Sequence, residues 1–253
     1  MKRTIALILA LMMCLVLFAA CGKDAEVPED SGTPVQPSET VVPEETTAPV
    51  GTWLPQTEDA GQEYIDKLVF IGDSTTYGLK AYEVVNDSQV WTPSSGTLAL
   101  FNQSFATIVY PKTGAEIPIV DAVKDAQPEY LVLTIGVNGV AMMDEDSFKS
   151  EYTDLIHRIQ AASPDTKIIC NSIYPVEASY EAKDNGINNA KIDAANIWIY
   201  DIAEATGTHY TDSATQLKGS DGCLNPEYGN GDGLHLCPAG FNLVLEYLRT
   251  HAL

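Results

Sequence analysis

Basic residues are the scarce class in this chain of 253 residues: 14 Lys and Arg stand against 35 Asp and Glu, for a formal net charge of −21. No basic stripe relieves that imbalance, so phosphate backbones are repelled and no nucleic-acid partner is expected. Histidine is sparse as well, at four residues, and neither Cys-x-x-Cys nor His-x-x-x-His spacing occurs. A metal site therefore has no support, and no metal or organic cofactor is expected. Internal repeats and heptads are missing too, which removes solenoids and coiled coils from consideration.

What is present begins with a segment to be set aside before any fold reasoning. Lys2 and Arg3 precede an apolar run from Ile5 to Ala20 that ends in Leu17-Phe18-Ala19-Ala20-Cys21-Gly22. A basic start, an apolar middle and small residues before a cut site read as an export signal over residues 1–20. The cysteine after Ala-Ala resembles a bacterial lipobox, in which Cys21 becomes a lipidated N-terminus and anchors the protein to the outer face of the cell membrane. An ordinary cleaved signal and a short membrane anchor are the alternatives. Residues 21–61 are then rich in Pro, Thr, Glu and Ser, which cannot bury enough apolar surface to offset chain entropy. They are expected to form a disordered acidic tether, with the lipid as the only membrane contact.

Residues 62–253 have the length of one domain with a substantial core. Short apolar runs alternate there with longer amphipathic ones. Strands are expected at Lys67–Ile71, Tyr130–Ile135, Lys167–Ile173 and Thr208–Tyr210, with a weaker one near Gln89–Trp91. Helices are expected near 76–84, 119–126, 145–162, 188–206 and 239–251. Continuous apolar strands separated by crossover helices imply an α/β fold, a three-layer α/β/α doubly wound sheet of about five parallel strands. Ligands bind such sheets beyond the carboxyl ends of the strands.

Three chemistry-bearing segments fall at those ends. Ser74 follows the first strand in Phe70-Ile71-Gly72-Asp73-Ser74. Asn138 follows the Tyr130 strand in Gly136-Val137-Asn138-Gly139. Asp232 and His235, in Asp232-Gly233-Leu234-His235, lie just before the last helix. A serine hydroxyl needs a neighbouring base to act as a nucleophile, and an imidazole held by a carboxylate supplies it. As local structure alone, the first segment is a turn with Ser74 or Thr75 capping the next helix. The three cysteines beyond the signal and lipobox are Cys170, expected as a buried strand thiol, and Cys223 and Cys237. That last pair brackets Asp232 and His235, and is either bridged, as export permits, or reduced.

Together these residues resemble the SGNH hydrolases, also called GDSL esterases and lipases, over the whole folded domain. The resemblance implies the family's flavodoxin-like fold, with Ser74 as nucleophile, His235 as general base and Asp232 as its orienter. It implies an oxyanion hole built from the Ser74 N–H, the Asn138 side-chain amide and a glycine N–H. Gly96, in Ser94-Ser95-Gly96-Thr97, is the choice for that glycine, with Gly114 second. Gly139 stands where the family usually has Asp.

The family spans carbohydrate acetylesterases, lipases, thioesterases and acyltransferases, so the triad does not decide the substrate. An exported enzyme meets surface polysaccharide esters rather than acyl-CoA, and no long apolar insertion supplies a lipase lid. The expected substrate is a small-molecule or glycan ester carrying a short acyl group such as acetyl. Transfer of the acyl group to a surface glycan by the same triad, and glycan binding without turnover, are the alternatives.

Overall fold

The computed structural model describes residues 51–253. The expected signal peptide, Cys21 and most of the expected tether lie outside the described residues. In chain order the elements are α1 (Gly61–Ile65), β1 (Leu68–Gly72), α2 (Ser74–Ala81), β2 (Val90–Trp91), β3 (Thr107–Val109), β4 (Glu116–Pro118) and α3 (Ile119–Ala126). There follow β5 (Tyr130–Thr134), α4 (Glu145–Ala162), β6 (Lys167–Asn171), α5 (Ala178–Glu181), α6 (Asn189–Thr206), β7 (His209–Thr211) and α7 (Pro238–Arg249).

Five strands form one parallel sheet in the order β2-β1-β5-β6-β7. Successive side chains on a strand point to opposite faces, and here both faces are buried. Leu68, Phe70, Val132 and Ile169 pack with Leu79, Phe241, Val244 and Leu248 on one side. Ile71, Leu131, Leu133, Ile168 and Cys170 pack with Val123, Leu155, Ile159 and Ile199 on the other. Each fully buried aliphatic or aromatic side chain contributes roughly 1.5–3 kcal/mol from water exclusion alone. The apolar continuity that marks these strands in the sequence thus reflects cover by helices on both sides.

Local signals set the helix ends. The Asp144 side chain accepts from Ser147 N–H at 2.9 Å to start α4, with Glu145 and Asp146 in its first turn where the helix dipole favours them. Asn188 caps α6, and Gly207, with φ at 67°, ends it. The strand order reverses at β1: the chain goes from β1 to β2 on one side, then returns to β5 on the other. Crevices form at such a reversal, outside the carboxyl ends of the strands, here beyond Gly72 and Thr134.

Two features depart from the sequence reading, and one settles an open alternative. The domain begins before residue 62: Trp53 bridges Tyr210 in parallel, Leu54 is fully buried, and Leu54 N–H donates to the Tyr210 carbonyl at 3.0 Å. These residues cover the edge of β7, so the folded domain includes Trp53 and Leu54. An antiparallel hairpin, β3–β4, intervenes before α3, its strands too short to signal themselves. Cys223 and Cys237, open in the sequence as bridged or reduced, are free thiols and not bonded to each other. Instead Cys237 heads α7 and its Sγ donates to the Glu227 carbonyl at 3.4 Å. Among the described residues no helix is long and apolar enough to cross a membrane.

Candidate active site

Ser74 owes its position to the residue before it. Asp73, not Ser74 or Thr75, caps α2: its Oδ1 accepts from the Thr75 N–H at 3.0 Å and the Thr75 hydroxyl at 2.7 Å. Ser74 is left at the first helical position with its hydroxyl uncommitted to capping, and an N–H there has no intrahelical partner. Asp73 is only 1% exposed. The Gly136 N–H lies close to its carboxyl, where the end of β1 meets the turn after β5. Burial pushes its pKa up, opposed by the bonds from Thr75 and by the proximity of the Gly136 N–H and His235.

Two glycines let these strand ends meet. A side chain on Gly72 would overlap the Thr134 carbonyl and the Thr76 hydroxyl. Gly136 has φ at 134°, and a Cβ there would sit 2.8 Å from the Phe148 ring. That turn carries Asn138, whose Nδ2 is buried with no hydrogen-bond partner. A buried donor without an acceptor is costly. Such a group is pre-positioned for an acceptor that comes and goes.

The third segment closes over the first. His235 Nε2 lies 2.8 Å from Ser74 Oγ, and His235 Nδ1 lies 2.7 Å from Asp232 Oδ2. A carboxylate only accepts, so Nδ1 carries the ring proton and Nε2 receives the Ser74 hydroxyl. The other Asp232 oxygen accepts from the Leu234 N–H at 2.7 Å and the His235 N–H at 2.9 Å. Burial raises the Asp232 carboxyl, but the His235 backbone, the His235 ring and the Leu234 N–H outweigh it and hold its pKa at about 2. It is therefore ionised at any ordinary pH.

The loop bearing this pair is braced by the segment after β6. Glu177 N–H donates to the Gly233 carbonyl at 2.8 Å, and Lys183 Nζ donates to the Asp232 carbonyl at 2.9 Å. Leu236 is fully buried and Pro238 occupies the first turn of α7, so packing fixes the far end of the loop.

The structure thus brings together Ser74, Asp232 and His235, and leaves Asn138 with a free donor beside the same switch point. It does not assign Gly96 an oxyanion contact. Gly96 N–H is committed to the Pro93 carbonyl at 2.9 Å in a tight turn, and the residue instead backs the Tyr77 ring, with a Cβ position 3.6 Å from it. Gly114 N–H is likewise spent, on Tyr110 in the β3–β4 turn. Tyr174, after β6, is core at 3% exposure, whereas Tyr77 on α2 is 41% exposed.

Tyr77 lines a cleft of about 220 Å³ with Ser74, Tyr82, Asn230, His235 and Phe241. A larger recess of about 480 Å³ around Trp53, Gln56 and His251 contains none of Ser74, Asn138, Asp232 or His235. The contribution of Asp73 was open to reading, since it adjoins Ser74. Asn230, Tyr82 and Phe241 carry no motif, and only the packing of α2 against α7 reveals them.

The sequence profile of the GDSL-like Lipase/Acylhydrolase family matches residues 70–243, from β1 into α7. Comparison with curated proteins gives no match. Solved structures of similar fold include one described as a GDSL-like lipase from Bacteroides thetaiotaomicron, at 20% identity and TM-score 0.52, covering 72% of this chain and 86% of that one. Another, provisionally described as an acylhydrolase from Bacteroides fragilis, has 18% identity and TM-score 0.52, covering 77% and 88%. At these identities the likeness is one of fold.

Proposed function

Given that the chain belongs to the GDSL-like lipase/acylhydrolase family, we propose that it is an esterase in which Ser74, His235 and Asp232 remove a short acyl group, acetyl first among them, from an extracellular glycan or related ester. The observation that carries this reading is the unbroken relay from Ser74 Oγ to His235 Nε2 to Asp232 at 2.8 and 2.7 Å.

The Ser74 oxygen attacks the ester carbonyl carbon as its proton passes to His235 Nε2. Asp232 stabilises the imidazolium, and its low pKa keeps it charged throughout. Negative charge on the carbonyl oxygen is met by the Ser74 N–H at the start of α2 and by the unpartnered Asn138 amide. The carbon–oxygen bond to the alcohol then breaks and His235 returns the proton to the leaving oxygen. Water repeats the cycle on the acyl-enzyme, releasing the acid and restoring Ser74.

A short acyl group is favoured by the lack of a lid insertion in the sequence. Export and anchoring through Cys21 would put the enzyme among surface glycans. Exchanging Cys21 for Ser is expected to move the protein out of the membrane fraction or block its processing. Hydrolysis of p-nitrophenyl acetate against longer acyl homologues, using the full chain beside Ser74→Ala, tests the rest. Serine-dependent turnover that falls with chain length is expected. Turnover by Ser74→Ala would remove Ser74 from its place, and turnover of long-chain esters alone would overturn the substrate.

A further inference from the structure

We infer that the cleft between α2 and α7 receives the alcohol half of the ester, and that Tyr77 and Tyr82 set specificity by stacking on a neutral sugar ring there. This rests on the proposed identities of the nucleophile and base, and adds which side of them each half of the substrate occupies. The tetrahedral carbon formed on Ser74 must point its oxyanion at the Ser74 N–H and the Asn138 amide, and its leaving oxygen at His235 Nε2, the only group that can return a proton to it. The cleft is walled by Ser74, His235 and Asn230 and not by Asn138. It lies on the side of the base, where the alcohol must leave.

Its walls suit a ring with a flat apolar face and a hydroxylated edge. Tyr77 on α2 and Tyr82 at its C-terminal cap are each 41% exposed, large aromatic surfaces open to solvent at the cleft. Tyr77 is backed by Gly96. Tyr82 is tilted against Phe241 with centroids 6.2 Å apart. Between them Gly78 leaves room for the Phe241 ring to form the floor, since any side chain on Gly78 would overlap that ring. Asn230 holds the Asp232 N–H through its Oδ1 at 2.9 Å, leaving its amide nitrogen to donate to a hydroxyl at the rim. The net charge of −21 disfavours anionic alcohols. Because the acyl-enzyme must be attacked from where the alcohol left, water or an acceptor hydroxyl enters by the same cleft.

The test uses the full chain and two ester series, comparing wild type with Tyr82→Ala. In the first the acyl group is fixed as acetyl and the alcohol varies from methanol to xylose and xylobiose. In the second the alcohol is fixed as p-nitrophenol and the acyl chain runs from acetate to octanoate. Wild type is expected to favour sugar acetates over methyl acetate in kcat/KM, and Tyr82→Ala to cut that preference about tenfold without moving the acyl-length profile. Tyr82→Leu replaces it should the alanine variant fail to fold. A shifted acyl-length profile, or no sugar preference in wild type, overturns the inference. Ser74→Ala run alongside reports separately on the nucleophile, so failure of the cleft assignment and failure of the triad are distinguishable.

Discussion

Asn138→Ala should move activity and stability in opposite directions. In the folded protein Asn138 Nδ2 is a buried donor with no partner, a state that costs roughly 1–3 kcal/mol against a satisfied or solvated amide. Truncation relieves that cost and forfeits the contacts of a small, half-buried side chain, worth about half as much. Stability should therefore hold or rise by about 1 kcal/mol, a melting shift of about 2–4 °C upward for a domain of this size. Catalysis should suffer, because the amide finds its acceptor only when charge develops on the carbonyl oxygen. Losing one such donor costs about a hundredfold to a thousandfold in kcat, or ~3–4 kcal/mol. Steady-state hydrolysis of p-nitrophenyl acetate and a thermal melt on the same preparation read both quantities. Unchanged kcat would show that the amide faces no developing charge. A fall in melting temperature comparable to the loss of activity would make Asn138 a structural residue and refute the reasoning.

Asp232→Asn should lower kcat about ten-thousandfold by stabilising the wrong His235 tautomer, and a loss under tenfold would contradict that part for Asp232. The same variant tests linkage. The Asp232 pKa is about 2 in the folded protein against an ordinary 3.8, so its stabilisation is complete above pH ~4 and disappears as pH falls towards 2. With the side chain 45% exposed, screening reduces this to under about 1 kcal/mol, and the asparagine variant should lose less stability than wild type between pH 5 and 2.5. Gly72→Ala should cost at least about 2 kcal/mol and most activity, because its Cβ meets the Thr134 carbonyl, which cannot swing away; a wild-type melt would contradict that close approach. A reducing agent should leave melting and turnover unchanged, since Cys223 and Cys237 are free, and a clear drop in melting temperature would reveal a bridge.

Much of this architecture was legible in the sequence because its signals are local. Tyr130–Ile135 reads as a doubly covered strand from apolar continuity, and α4 from its 145–162 periodicity, since each element buries its own side chains. Ser74, Asn138, Asp232 and His235 were nameable because the chemistry of acyl transfer demands those residue types at strand ends. The hairpin and the docking of Trp53 and Leu54 on β7 were not, because a two- or three-residue strand acquires its partner only across space.

The sequence by itself determined the nucleophile, base and orienter candidates and the class of sheet that would carry them. Tertiary structure alone decided that Gly96 N–H goes to Pro93 and not to an oxyanion, that two cysteines near the site stay unbridged, and that Phe241 closes a cleft beside Gly78. The physical reason is range. Periodicity and capping act over a few residues, whereas a free donor, a disulfide or a cleft wall depends on segments that meet across the fold, as Ser74 and His235 do over 161 positions.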